Sequence, residues 1–528
     1  MRNLRVVCVS KRRDPSRRQA GVSVQCACTS CPSKPKNTSM PNVLSEKYAK
    51  HTRLTRVTRH MRSSAVLAVI LGIGLLARPA TAQDWPSWRG PDENGMATGD
   101  APVTWGDSEG VTWRTAIPGR GHSAPVVWGN RIFVTTAVPI GSQLAGGTNA
   151  PPRGRQPGAR VGGHPTGGGQ PGPGHSAAGR RPGGRWSPHG DSGPQSEHRF
   201  VLLAIDRSTG DVVWERTAVE ATPHEGFHAQ YGSFASSSPV TDGEHVYASF
   251  GSRGLYCYDF DGQLIWQTDL GQMRKFLQFG EGTPLVLHAD RLIVKFDHEG
   301  DSFVVALDAA TGDQLWRVGR DEITSWSPPL VVEHDGRTQV VVAATQKVRS
   351  YDFDTGALVW EAAGLGRNQI PAPVHHGDVV YVMSGFIAPN LMAIRLGGQG
   401  DLTNTDAIVW SNRQANAYTP SPVLFDGQLY VLTDGGVLTN FDATTGEVHY
   451  RQRLPGPSNF KASPVGVNGK LYLASEEGQV FVVTMGPEFE LLATNTLDGA
   501  VFIATPAIGG GEIILRSQDA LYSIGRAE

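Results

Sequence analysis

The nonapeptide "DAATGDQLW" at 308–316 decides the fold, because close variants of it recur along the chain. They read "DRSTGDVVW" at 206–214, "DFDTGALVW" at 352–360 and "DATTGEVHY" at 442–450, with a shorter "DFDGQLIW" at 259–266. The Asp side chain can accept bonds from turn amides, and the Gly supplies the left-handed conformation that a tight hairpin needs. The pattern predicts two strands joined by a hairpin, with the closing aromatic residue packed in the outer strand.

A second signal is a Pro that leads into an apolar strand, as in "SAPVV" at 123–127, and it occurs eight times. After the first copy, the copies follow one another at steps of 42 to 49 residues. A period of this length, built from strands and turns, is typical of β-propellers. We therefore predict an all-β fold over 111–526, an eight-bladed β-propeller of four-stranded antiparallel blades. The prolines are Pro125, Pro239, Pro284, Pro329, Pro373, Pro422, Pro464 and Pro506.

The eighth copy ends at "ALYSIGRAE" (520–528), which leaves its blade one strand short. A matching strand, "VTWRTAIP", lies at 111–118, so we predict that this N-terminal strand completes the last blade. Closing the ring removes the open strand edges that promote aggregation. In the seventh blade we expect Leu491 or Leu492 at the aromatic position. The predicted blade-docking residues are Trp113, Trp214, Trp266, Trp316, Trp360, Trp410 and Tyr450.

The N-terminal region differs from the rest of the chain. Residues 1–60 hold 14 Lys/Arg, two acids and four of the five cysteines, and we interpret them as a disordered upstream extension of the gene. An unusually long leader is the alternative. The stretch "MRSSAVLAVILGIGLLARPATA" at 61–82 has the basic start, apolar core and small-x-small end of a signal peptide, cleaved near Ala82–Gln83. No Cys stands directly after the cleavage site, so the sequence predicts a periplasmic or secreted protein without a lipid anchor.

Composition narrows the function of the exported part, in which 83–110 is a lead-in to the propeller. Its formal charge of −15 disfavours nucleic acid as a partner, because phosphates attract basic surfaces. It contains a single cysteine, Cys257, so no intrachain disulfide can form. The Gly/Pro/Arg-rich insertion at 138–198 is predicted to be disordered. We expect a monomer with no membrane-spanning segment in the mature chain.

The repeat resembles that of the PQQ-like (pyrroloquinoline quinone) β-propellers, which include quinoprotein dehydrogenases and BamB-type propellers. The resemblance covers 111–526 and also the start of the exported part, "DWPSWRGPDENG" at 84–95. It implies a fold more than a function. In the family's quinone enzymes a vicinal Cys-Cys disulfide and a Trp enclose the quinone, and Glu, Asn and Asp surround a calcium ion and a base. The exported part here lacks the adjacent cysteines and a Cys-x-x-Cys-His haem motif.

The loops that lead from the last strand of one blade to the first strand of the next are expected to meet over the central channel. Their polar and aromatic side chains predict a ligand site at the channel mouth. The alternative is that they bond loop backbone and line a wet channel. Oxygen atoms of Glu281 with Asn368 or Asn416 suit calcium, and the metal assignment stays open. The predicted ligand-binding residues are His122, Gln278, Glu281, Trp326, Asn368, Gln369, Asn416, Tyr418, Asn459 and Lys461.

Two functions are compatible with these patterns. The first is an exported, non-catalytic module that binds or scaffolds a protein or a small ligand in the cell envelope, with no catalytic residues and no cofactor. The second is a dehydrogenase that uses PQQ and calcium to oxidise an alcohol or a sugar. Every residue of the repeat motif has a structural role, which favours the first function. The family resemblance keeps the second open.

Overall fold

The computed structural model describes residues 84–141, 195–414, 417–456 and 458–525. The predicted extension 1–60, the signal peptide 61–82 and most of the predicted insertion lie outside these residues. The described chain consists of strands and two short 3-10 helices, Gly251–Arg253 and Phe276–Gln278, and no helix in it is long and apolar enough to cross a membrane. The predicted all-β, eight-bladed propeller is confirmed.

Each of the first four blades is an antiparallel sheet whose strands follow chain order from the channel outward. Blade 1 contains β3 (Val126–Trp128), β4 (Arg131–Pro139), β5 (His198–Asp206) and β6 (Val212–Ala221). Blade 2 contains β7 (Val240–Thr241), β8 (His245–Ser249), β9 (Leu255–Asp259) and β10 (Leu264–Thr268). Blade 3 contains β11 (Val286–His288), β12 (Arg291–Phe296), β13 (Phe303–Asp308) and β14 (Gln314–Gly319). Blade 4 contains β15 (Leu330–His334), β16 (Arg337–Ala343), β17 (Lys347–Asp352) and β18 (Leu358–Ala363).

The other four blades repeat this arrangement, with strands borrowed from elsewhere in the chain at two of them. Blade 5 contains β19 (Val374–His376), β20 (Val379–Ser384), β21 (Asn390–Arg395) and β23 (Ile408–Asn412). Blade 6 contains β24 (Val423–Phe425), β25 (Gln428–Leu432), β26 (Val437–Asp442) and β27 (Val448–Arg453). Blade 7 contains β28 (Val465–Val467), β29 (Lys470–Ala474), β30 (Gln479–Thr484) and β31 (Leu491–Thr496), with β1 (Met96–Ala97) added at its inner edge. Blade 8 contains β32 (Ala507–Gly509), β33 (Glu512–Arg516), β34 (Ala520–Ile524) and β2 (Val111–Ala116).

The ring closes between the first and the last blade, as predicted. The innermost strand β3 of blade 1 contacts both β7 of blade 2 and β32 of blade 8. Strand β2 pairs antiparallel with β34, with Arg114 opposite Tyr522 and Trp113 opposite Ser523. The chain therefore joins its two ends in one sheet, and every blade has its four strands.

The repeated motif joins neighbouring blades as well as turning its own hairpin. In blade 3, Asp308 accepts bonds from the amides of Ala310 and Thr311 at 3.0 and 2.9 Å, and Gly312 follows with a φ of 76°. The indole of Trp266 in blade 2 packs against Gly312 and donates to the carbonyl of Ala309 at 2.9 Å. Glycine is needed here because a Cβ would lie 2.7 Å from the indole ring. The same indole-to-carbonyl bond joins Trp113 to Arg207, Trp214 to Phe260, Trp316 to Phe353 and Trp410 to Ala443.

Blade 5 lacks the motif in its hairpin, and the contact changes accordingly. Trp360 of blade 4 donates to Gln339 of its own blade at 3.2 Å, while its ring still packs against apolar residues of blade 5. The long hairpin of blade 5 returns to blade 4, where β22 (Gly400–Asp401) pairs parallel with β18. Trp360 thus docks two blades by packing alone.

In blade 7 the expectation of Leu491 or Leu492 at the aromatic position is wrong. The register places Ala493 there, opposite Val482, because the strand carries a bulge one residue earlier. The space between blades 7 and 8 is filled by Trp105 of the lead-in, whose ring stacks on Tyr472 at 6.4 Å between centroids. A tryptophan from outside the repeat therefore replaces the missing one.

The lead-in (84–110) closes one end of the central channel. Trp85 forms a two-way backbone bridge with Val127 in the inner strand of blade 1. The chain then crosses to the opposite side, where Arg89, fully buried, donates to the carbonyls of Pro422 and Pro464. Strand β1 pairs parallel with β28, and the chain continues outward along blade 7 to β2. The lead-in is thus a plug across the channel, which no periodic pattern predicts.

The predicted insertion is shorter than 138–198. Strand β4 extends to Pro139 and β5 begins at His198, and these two residues pair. The backbone of this longer hairpin is satisfied by strand pairing, and Val138 is buried. Residues 142–194 lie outside the described part of the chain. The described ends of this hairpin, Gly141 and Gln195, follow the second strand and precede the third strand of blade 1.

Candidate functional site

A cavity of about 240 Å³ lies at the channel mouth, where the loops between successive blades meet. All eight of these loops contribute to its lining, and the lead-in adds one residue. We call it the channel-mouth cavity. Its principal lining residues are Trp88, His122, His228, Tyr231, Phe279, Glu281, Trp326, Ile370, Tyr418, Lys461 and Thr505.

The floor of the cavity is provided by the plug. Trp88 extends from the lead-in and donates from its indole nitrogen to the Thr505 hydroxyl at 2.9 Å. Arg89, the next residue, is anchored on the inner strands of blades 6 and 7. The cavity is therefore a blind pocket that opens on one face of the propeller.

Five of the predicted residues line the channel-mouth cavity: His122, Glu281, Trp326, Tyr418 and Lys461. They come from five different loops, so the prediction that these loops converge is confirmed by their positions. Whether they bind a ligand stays a prediction. Asn416 lies outside the described residues.

The other four predicted residues lie outside the cavity lining, and the side chains of three of them bond within the protein. Gln369 is fully buried and bonds the carbonyl of Gly366, and Asn459 bonds Glu477 at 2.9 Å. Asn368 is buried behind the lining and donates to the Tyr418 hydroxyl at 3.4 Å. Gln278 ends the short helix Phe276–Gln278 with a φ of 54°. None of the four lines the cavity.

Sequence reasoning missed Trp88 and Phe279 in the lining and Asp434 behind it. Trp88 lies in the lead-in rather than in a loop between blades, and the prediction did not select Phe279 from its loop although aromatic residues were considered. Asp434 lies between the second and third strands of blade 6, where it accepts bonds from the amides of Tyr418 and Thr419 at 2.9 and 3.1 Å. It fixes the loop that carries Tyr418.

The two charged side chains of the lining are both paired within the protein. Glu281 accepts bonds from the amide and hydroxyl of Ser252, each at 2.6 Å, and from Arg253 at 3.0 Å. Lys461 donates to Asp434 at 2.9 Å. Burial, the largest single cause, would lower the pKa of Lys461, but the charge and hydrogen bond of Asp434 together with the charge of Glu476 raise it. Both side chains are therefore held by partners of opposite charge within the protein.

The imidazole of His122 is a buried part of the cavity lining. Its Nδ1 lies 2.8 Å from the carbonyl oxygen of Tyr231, which can only accept, so Nδ1 carries the hydrogen. Nε2 is then a lone-pair acceptor, and it has no hydrogen-bond partner among the described residues. Burial, together with the nearby guanidinium groups of Arg120 and Arg516, lowers the pKa of His122 to about 3. The ring is neutral at pH 7.

The residues of the cavity do not fit a calcium ion with PQQ. Calcium takes several oxygen ligands with carboxylates among them, and the one carboxylate of the described lining is occupied by Ser252 and Arg253. Across the described residues, no group of three His, Cys, Asp or Glu side chains is placed to hold a metal ion. The carboxylates of the quinone need cations, and Lys461 is paired with Asp434.

Fold and site together define an eight-bladed β-propeller with a blind, aromatic-lined pocket at its channel mouth. The family described as outer membrane protein assembly factor BamB matches residues 198–302, 300–388 and 400–501, which together exceed half of the chain. The chain belongs to this family of PQQ-like propellers.

Individual relatives are distant. BamB of Yersinia pestis is 19% identical over 330 residues, which are 60% of this chain and 69% of that protein. Tetrathionate hydrolase of Acidithiobacillus ferrooxidans is 22% identical over 309 residues, 54% of this chain and 55% of that protein. This chain thus spans about half of the second relative.

Two solved structures share the fold. Quinohemoprotein alcohol dehydrogenase from Comamonas testosteroni matches with a TM-score of 0.53 at 11% identity, over 84% of this chain and 81% of that one. A europium-containing methanol dehydrogenase matches with a TM-score of 0.54 at 9% identity, over 84% and 98%. At such identities the likeness concerns the architecture alone.

Proposed function

We propose that this protein is a non-catalytic binding module of the cell envelope that holds a small ligand at the mouth of its propeller channel. The paired charges of the channel-mouth cavity carry the proposal. Glu281 and Lys461, the charged groups of the described lining, are both committed to protein partners, so neither is available as acid, base or metal ligand. A concave pocket lined by aromatic residues and a few polar groups suits the binding of a small ligand.

The location in the envelope is supported by two observations. The chain belongs to a family described by an outer membrane assembly factor, and the sequence at 61–82 has the pattern of a signal peptide. The family also supports a protein partner, with the propeller as scaffold. Fractionation of cells that express the full chain tests the location. We expect the protein in the envelope fraction or the medium, with an N-terminus that mass spectrometry shows to be shortened.

The alternative is a dehydrogenase that uses PQQ and calcium. The propeller architecture favours it, since two dehydrogenases share the fold. The site argues against it, because the carboxylate of Glu281 is bonded to Ser252 and Arg253.

Reconstitution separates the two functions. The purified protein is incubated with PQQ and Ca²⁺ and desalted, and its absorbance and dye reduction with a panel of alcohols and sugars are measured. We expect no retained quinone and no turnover. Retained quinone with turnover that is lost in Glu281→Gln would overturn the binding function. The matched variant Glu215→Gln, on a partly exposed outer strand, controls for a general effect of removing a carboxylate.

A further inference from the structure

The rings around the channel-mouth cavity favour a flat ligand. Seven of its lining side chains are aromatic or imidazole rings: Trp88, His122, His228, Tyr231, Phe279, Trp326 and Tyr418. Several are fixed in place. The Trp326 indole donates to the carbonyl of Gly280 at 2.8 Å, and the rings of His228 and Tyr231 stack at 4.2 Å with 11° between their planes. Fixed ring faces bind another ring by offset or edge-to-face packing.

The charges around the cavity favour a neutral ligand. Glu281 is compensated by Arg253 and Lys461 by Asp434, at 3.0 and 2.9 Å. A charged ligand would lose its hydration without gaining a free counter-charge, which costs more than burial of a neutral molecule.

One polar atom of a lining residue has no hydrogen-bond partner, and it is an acceptor. The Nε2 atom of His122 is a lone-pair acceptor without a partner among the described residues, on a side chain that is only 8% exposed. Buried acceptors of this kind are costly to leave unmatched. A hydroxyl group is a neutral donor that can satisfy it.

The size and the rim of the cavity suit a ring with an apolar substituent. An apolar cavity of roughly 150 Å³ accepts benzene, and this one is larger at about 240 Å³. Beside Tyr418, the ring of Phe386 lies 5.4 Å away and is 40% exposed, and the neighbouring Ile387 is 57% exposed. Ile387 has a φ of 39°, a strained conformation for a β-branched residue. Strain of this kind gathers at ligand-binding loops.

We propose that the channel-mouth cavity binds a neutral, hydroxyl-bearing ring of the alkylphenol class, with the hydroxyl donating to Nε2 of His122 and the ring between the aromatic side chains. The inference rests on the proposed function and names the ligand class of the same site.

Isothermal titration calorimetry on the full chain tests the ligand class with matched probes. 4-Propylphenol carries the ring, the apolar substituent and the donor, and 4-propylanisole differs by a methyl group in place of the hydroxyl hydrogen. We expect 4-propylphenol to bind roughly tenfold more tightly, because only it satisfies the buried acceptor. 4-Propylbenzoate, 4-propylbenzylamine and glucose are expected to bind more weakly than 4-propylphenol. A higher affinity for any of these three, or equal affinity for the phenol and its ether, would overturn the inference.

The variant His122→Phe tests the acceptor itself. It is expected to bring the phenol-to-ether affinity ratio from roughly ten to near one. A merely structural role of His122 would weaken both ligands equally and keep the ratio, which would refute the assignment. His375→Phe, an exposed histidine at the other end of the channel, is the control that leaves the ratio unchanged. A failure of the ligand class leaves the binding function standing, since that function is overturned by quinone retention and turnover.

Discussion

The contact between Gly312 and Trp266 is the clearest place to measure how the repeat holds the ring together. Gly312→Ala adds a Cβ that would lie 2.7 Å from the Trp266 ring, at a residue with a φ of 76°. The matched control is Gly336→Ala, whose φ is 71° and whose added Cβ meets nothing within 4 Å. Both variants carry the cost of a left-handed alanine, about 1–2 kcal/mol. Only the first adds overpacking, which costs a further 1–3 kcal/mol or so.

Urea unfolding followed by circular dichroism and tryptophan fluorescence gives the two free energies of unfolding. We expect Gly312→Ala to destabilise the protein by about 2–5 kcal/mol and Gly336→Ala by about 1–2 kcal/mol. The same Gly312→Ala change in a Trp266→Ala background should cost only as much as the control, because the clash is gone. Equal costs for the two glycine variants, or a cost that persists without the indole, would refute the two-blade role of the motif.

Three further outcomes follow from buried polar groups at the two ends of the channel. Arg89→Met should lower the free energy of unfolding by about 2–4 kcal/mol, because two buried carbonyls lose their donor, and should speed proteolysis of the plug. The control Arg131→Met removes a partly exposed pair with Asp206 and should change the free energy of unfolding little. Burial lowers the pKa of His122 from 6.5 to about 3, so between these pH values the unfolded state binds a proton that the folded state does not, and stability falls as the pH falls. His122→Phe should reduce this dependence of the free energy of unfolding on pH, measured in unfolding curves between pH 6.5 and about 3. Burial raises the pKa of Glu93 from 4.5 to about 7, so between these pH values the folded state binds a proton that the unfolded state does not, and stability falls as the pH rises. If the free energy of unfolding of Glu93→Gln depended on pH as strongly as that of the unchanged protein, this assignment would be contradicted.

The fold was predictable because its information is local and repeated. The hairpin glycine, the aromatic residue and the strand-leading proline recur at one period, so the eight copies and the N-terminal closing strand follow from counting. The plug was not predictable in this way. Arg89 and Trp105 bond or stack with residues more than 300 positions away, and no period connects them.

The site was predictable as a place but only partly as a set of residues. Within each loop, some residues face the cavity and others support the loop behind it. At 368–370 the prediction chose the polar Asn368 and Gln369, whereas Ile370 faces the cavity. The backbone of a buried loop needs hydrogen-bond partners, and Gln369 supplies one by bonding the carbonyl of Gly366. Its apolar neighbour Ile370 then faces the cavity.

The pairing of β2 with β34 has a consequence for how this protein is made. Arg114 and Tyr522, which bond across that sheet, are separated by 408 positions, so β2 has no partner until the last strand has been synthesised. Contacts between such distant parts of a chain form slowly. The plug also waits for late parts of the chain, since Arg89 is anchored on carbonyls of Pro422 and Pro464. Until the last strand is available, the propeller ring stays open and must be kept from aggregating. The channel-mouth cavity, whose floor is the plug, is therefore among the last features of the molecule to form.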